Sequence, residues 1–184
     1  VKLPALVACV ALLGAQNTAP VSAPAPPSVR PPALASVDDA FAIAVMQGNA
    51  AELQAARLAL ARTGSDDVAA FARQMITDHD TIATEGMLLV KRHLSRVPAP
   101  LGAPDVLALL HLANLPAVDF DQQYALTQIA DHLATQTAFA TEARDGKDPE
   151  LQAFAAKWLP TITAHLELAV TLVKHVGGNT PFKN

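Results

Sequence analysis

Four residues of this 184-residue chain have the chemistry of a metal site: Glu52, His79, His132 and His165. A carboxylate and three imidazoles are ligands for a single Zn, Cu or Fe ion. Each falls near the middle of a different predicted helix and on that helix's apolar stripe. Polar side chains are rare there unless they are paired or bound to something. At 3.6 residues per turn Glu52 points with Phe41, Val45, Gly48, Ala55, Ala56 and Ala59. His79 points with Val68, Ala72, Met75, Ile76, Gly86 and Val90. His132 shares a stripe with Ala125, Gln128, Ile129 and Phe139, and His165 with Phe154, Trp158, Ile162, Ala169 and Leu172. Asp80, Glu85 and Glu167 project away from these stripes. Asp121, Tyr124 and Gln128 are candidates to orient a ligating imidazole through its other nitrogen.

Helices are what the chain offers to hold these residues. Hydrophobic residues make up 51% of the chain and charged residues 16%, so a core is available. Aromatics are only 4%. The filler is Ala and Leu, which favours closely packed helices. Val, Ile and Thr never alternate cleanly, so strands are not expected. Ser36 caps a helix with Asp38 and Asp39 in its first turn, running to about Thr63 with Gly64 as its stop. A second helix follows Ser65 and runs to about Leu94. A short helix is expected from Asp105 to Asn114, and a third long helix from Pro116 to about Arg144. Asp148 caps a fourth, with Pro149 at its first position, ending before Gly177. Pro160 inside it should kink it.

Depth agrees with the stripes. Glu52 lies about 16 Å before the first turn and His79 about 20 Å after it, at about 1.5 Å per residue. His132 and His165 stand at comparable heights around the Asp145–Lys147 turn. Two antiparallel hairpins would therefore bring all four side chains together. The fold expected is all-α: a ferritin-like antiparallel four-helix bundle with a short extra helix in the connection between the second and third long helices. That connection either crosses the bundle's length or returns locally.

The ends read differently. Lys2 followed by the apolar run Leu3–Leu13 reads as a secretory signal over residues 1–15, too short for a span of about 20 residues. A lipid on Cys9 is the weaker alternative. Removal of the signal would leave no cysteine, hence no disulfide or thiolate chemistry. Residues 16–35 form a Pro/Ala-rich linker, residues 36–178 the bundle, and residues 179–184 a tail. The chain is expected in the periplasm or outer membrane, with envelope association through its N-terminus. The formal net charge of −4 and scattered Lys and Arg argue against a nucleic-acid partner.

The stretch Gly48-Asn49-Ala50-Ala51-Glu52-Leu53, then Phe71 to His79, then Phe120-Asp121-Gln122-Gln123-Tyr124 with Asp131-His132, then Leu159-Pro160 with His165-Leu166, resembles the bacterial domain-of-unknown-function family 4142. The resemblance covers roughly residues 36 to 176. It implies a ferritin-like fold, export, and attention to Glu52, His79, His132 and His165. It supplies no reaction.

One departure from ferritin chemistry is plain. Di-iron members carry Glu-x-x-His on two helices, whereas Ile76, Ile129 and Ile162 stand three before each histidine here. The bridging carboxylates are missing, so a single ion is expected rather than an oxygen-activating pair. Two readings stay open: an exported protein with one transition-metal ion in its core, and a structural or interaction module whose Glu/His core is a metal-free hydrogen-bonded network. Neither decides whether the chain is an enzyme. Ser-His-Asp catalysis has no support, because no Ser lies within the long helices near these residues. His93 and His111 read as surface or loop histidines, and His175 as a partner for its helix dipole.

Overall fold

The computed structural model describes residues 36–93 and 99–177. The expected signal over residues 1–15 with Cys9, the expected linker, the expected C-terminal tail and the side chain of His93 lie outside the described residues.

Five helices and no strand are present among the described residues: α1 (Val37–Arg62), α2 (Asp66–His93), α3 (Ala103–Asn114), α4 (Ala117–Asp145) and α5 (Pro149–His175). The expected starts hold for definite reasons. Ser36 Oγ accepts from Asp39 N–H at 3.0 Å while the Asp39 carboxylate reaches back to Ser36 N–H, a capping box that uses two otherwise unpaired donors. Asp148 Oδ1 accepts from Glu150 and Leu151 N–H at 2.9 and 3.0 Å, with Pro149 behind it where no donor is needed. Helix α5 continues through Pro160 to His175. No described helix is long and apolar enough to cross a membrane.

Contacts order the long helices in a ring: α1 beside α2, α2 beside α5, α5 beside α4, and α4 beside α1. The ends can be assigned from polar contacts. At one end Asp38 of α1 accepts from Lys147 N–H in the α4–α5 turn at 2.7 Å, and Arg92 of α2 pairs with Glu150 of α5 at 2.9 Å. At the other end Asp67 of α2 meets His175 of α5 at 3.0 Å. So α2 and α4 run parallel, and the chain joining them spans the length of the bundle. Of the two courses open to this connection, the structure has the crossing one. Helix α3 lies in it, packed on α1 and α4. Arg62 fastens its end by donating to the carbonyls of Leu112 (2.6 Å), Ala113 (2.8 Å) and Leu115, and its guanidinium lies 4.6 Å from the centre of the Phe120 ring. Those carbonyls end a helix and have no partner within it.

The apolar core falls into separate clusters. Near the α4–α5 turn, Phe41, Phe139 and Phe154 pack edge-on or tilted at 5.0–6.3 Å with Ile82, Leu151 and Ile162. Toward the other end Val68, Phe71, Met75, Leu112, Phe120, Tyr124, Ile129 and Leu172 form a larger cluster. The four candidate residues sit in sequence between the two sets on every long helix. Ile129 and Ile162 are buried in these clusters and Ile76 packs against the larger one. The positions where a di-iron protein keeps carboxylates are here given to packing.

Candidate metal centre

Glu52, His79, His132 and His165 are 5%, 3%, 1% and 2% exposed, so the stripes read from the sequence do face the interior. The three imidazoles converge. Their ring centroids are 5.3–5.7 Å apart pairwise, and one ring nitrogen from each lies within 4.8 Å of the others. Three helices supply one ring each, α2, α4 and α5. Helix α1 supplies Glu52 and Asn49.

One nitrogen of each ring is committed to an oxygen. His79 Nδ1 is 2.9 Å from Asn49 Oδ1, His132 Nδ1 is 2.9 Å from the Gln128 carbonyl, and His165 Nε2 is 2.8 Å from Asp78 Oδ2. A carbonyl and a carboxylate accept only, so His132 must carry its proton on Nδ1 and His165 on Nε2. Asn49 Oδ1 places the His79 proton on Nδ1 in the same way. The remaining nitrogens, His79 Nε2, His132 Nε2 and His165 Nδ1, then carry lone pairs. All three are buried and none has a hydrogen-bond partner in the protein. Buried polar atoms in folded proteins are nearly always satisfied. Three orphaned lone pairs on converging rings are a donor set for a cation, and an oxygen acceptor behind each ring is how ligating histidines are held.

The electrostatics favour the neutral, ligating form. Burial is the main cause that pushes the His132 imidazolium down to about 4, with its bond to the Gln128 carbonyl pulling the other way. Burial also lowers His79 well below the usual range, helped by His132 and His165. His165 is lowered by burial, with Asp78 opposing. Metal binding therefore need not displace ring protons at neutral pH.

Glu52 has a different place. Its Oε2 accepts from Gln128 Nε2 at 2.7 Å, and its Oε1 stands 3.6 Å from His132 Nδ1, beyond hydrogen-bond length. That nitrogen is the one already committed to the Gln128 carbonyl. The close-set ligand atoms are those of the three histidines, and Glu52 is not among them. Burial raises its pKa to about 7, against the Gln128 bond and with Asp105 adding repulsion. Gln128 thus links Glu52 to the triad through both its side chain and its backbone. Asp121 and Tyr124 bond to none of the three imidazoles. Tyr124 Oη and Asp121 Oδ1 are buried without a hydrogen-bond partner.

Asn49 and Asp78 carry orienting roles that the sequence reading did not assign. Asn49 is three residues before Glu52 and so on the same stripe, which is a usable signal for a mid-helix Asn. Asp78 cannot face its helical neighbour His79 and reaches across to His165 on α5 instead. Glu142 is a further buried carboxyl, at the α4–α5 turn. Burial, then the charge and hydrogen bond of Asp38, then Asp148, raise it to about 7. Of the other histidines, His111 is exposed, and His175 is exposed and pairs with Asp67.

Comparisons with curated proteins and with solved structures found no match. A family model does match, over residues 23–172, and its span takes in α1 and all three histidines. The chain therefore belongs to the family described as Domain of unknown function (DUF4142).

Proposed function

We propose that this protein is an exported, ferritin-like four-helix bundle, with α3 as its extra helix, that binds one transition-metal ion through His79, His132 and His165. The observation that carries the reading is the set of three buried, unpartnered ring nitrogens, each on a ring whose other nitrogen is held by an oxygen. A metal-free network accounts for the held nitrogens but leaves the three lone pairs unsatisfied, at a cost of about 1–3 kcal/mol each. A bound cation satisfies all three.

Three imidazoles suit Zn, Cu or Fe. Tetrahedral ligands at about 2.0–2.1 Å stand about 3.4 Å from one another. One ring nitrogen of each histidine lies within 4.8 Å of the others, so binding would draw the ligand atoms closer together. Three protein ligands leave a fourth position for Glu52 or a water. The charge of the ion would also hold Glu52 ionised in its buried place. Export, a signal at 1–15 and a periplasmic or outer-membrane home rest on the sequence reading alone.

The test is metal analysis of untagged protein purified from the cell envelope, followed by reconstitution with Zn, Cu or Fe and thermal melts with metal and with chelator. One ion per chain and a higher melting temperature with metal are expected. Equal melting temperatures in both conditions, with no metal retained, refute the reading and leave the metal-free module.

A further inference from the structure

The histidine triad is buried, so an ion must have a way in. Between α1 and α4, beside the start of α3, lies a groove of about 260 Å³. Ala44, Asp131 and Ala134 at its rim are exposed, and Glu52 is among its lining residues. A second cavity of about 20 Å³ is lined by His79 and Asn49. The two share Ala44, Val45, Gly48, Glu52, Thr135 and Phe139 and are therefore adjoining.

We propose that this groove is the entry path for a divalent transition-metal cation, leading from Asp131 and Asp105 at its mouth, past Gly48 and Glu52, to the histidine triad. The inference rests on the metal-binding reading above and adds the route and the form of the ion. Every titratable side chain lining the groove is an acid: Asp105, Asp131 and Glu52. A cleft lined by one sign of charge concentrates the opposite ion and repels anions. The inner cavity sets the size. One water needs roughly 10–15 Å³ of such space, so 20 Å³ admits a bare or nearly bare cation and excludes a cation still held by an organic chelate. Gly48 keeps the throat open, since a Cβ built there meets no atom within 4 Å. Its absence of side chain is not demanded by packing.

The experiment follows Zn(II) uptake by the metal-free full chain at pH 8 in stopped flow, and release to a chelator, for wild type, Gly48→Leu, Asp131→Asn and His79→Ala. Gly48→Leu should slow uptake and release together by about tenfold or more, because a side chain in the path changes the barrier and not the end states. Its equilibrium affinity should stay within about twofold. Asp131→Asn should slow uptake by about two- to fivefold at low salt, with the difference vanishing at high salt; this isosteric variant guards against misfolding of the first. Wild-type uptake rates in both variants overturn the route. Altered affinity at unaltered rates also overturns it, by placing these groups on the ion itself. Absence of Zn(II) binding in wild type, or binding undiminished in His79→Ala, overturns the metal reading and the route with it.

Discussion

Asp78→Asn separates a metal centre from a hydrogen-bonded core more sharply than removal of a histidine does. Asp78 Oδ2 accepts from His165 Nε2 at 2.8 Å and from Gln74 Nε2 at 2.6 Å. A carboxylate can only accept, so it forces the His165 proton onto Nε2 and leaves the Nδ1 lone pair for an ion. An amide can turn and donate instead. It then favours the other tautomer, in which Nδ1 carries the proton and cannot ligate. The side chain of Asp78 is 22% exposed, so the exchange strands no buried charge and the fold should survive. Loss of such an outer hydrogen bond weakens metal affinity by about 10–100-fold, or about 1.4–2.8 kcal/mol. With metal in excess this is lost directly from the folded state's advantage. For a domain near 150 residues it lowers the melting temperature by roughly 3–11 °C. The metal-free protein loses only the difference between a charge-assisted and a neutral hydrogen bond, about 1 kcal/mol. Chelator competition gives the affinity, and calorimetry with and without Zn(II) gives the two melting temperatures. Equal losses in both forms, with affinity unchanged, would refute the orienting role of Asp78.

Three further outcomes are expected. In the metal-free protein the unfolded histidines titrate near 6.5 while folded His132 is held down to about 4. Stability is then complete above about 6.5 and falls as pH drops toward 4, at about 1.4 kcal/mol per pH unit for each such histidine; His132→Phe should flatten the slope by one proton in denaturant melts, and an unchanged slope would count against a buried neutral ring. Glu142 has the opposite sign: raised from 4.5 to about 7, it stabilises at low pH and loses that contribution as pH rises through about 7. Glu142→Gln should therefore gain stability relative to wild type at pH 8 more than at pH 5, and a difference independent of pH would show that burial, Asp38 and Asp148 do not together raise its pKa. Arg62→Ala should cost about 2–3 kcal/mol by releasing the carbonyls at the end of α3, with Arg62→Lys recovering little because one ammonium cannot span three acceptors; full stability in the lysine variant would overturn this.

Local and periodic features were legible in the sequence alone. Ser36, Asp148 and Pro149 mark helix starts because their side chains satisfy, or do not need, the unpaired donors of a first turn. The stripes of Val68, Met75 and Ile129, or of Phe154, Ile162 and Leu172, follow from 3.6 residues per turn and reach the core as expected. The same spacing brought His79, His132 and His165 inward at matching depths. The bland positions Ile76, Ile129 and Ile162 excluded paired carboxylates. Tertiary structure decided the rest. Periodicity gives a residue's face, but not which atom of a neighbouring helix stands opposite. Only the packing of α2 on α5 turned Asp78 toward His165, and only the packing of α1 on α2 set Asn49 against His79. The same limit applies to Glu52. Its stripe places it inside, yet its rotation on α1 hands it to Gln128 rather than to the triad. The course of the connection through α3 was equally undetermined, because a chain of that length can either cross or return. Arg62 settles it by reaching carbonyls about fifty residues away in sequence, a contact with no local signature. The lone pairs that would let the triad hold a metal ion exist only because three separate oxygens, each on another turn or another helix, hold the opposite nitrogens.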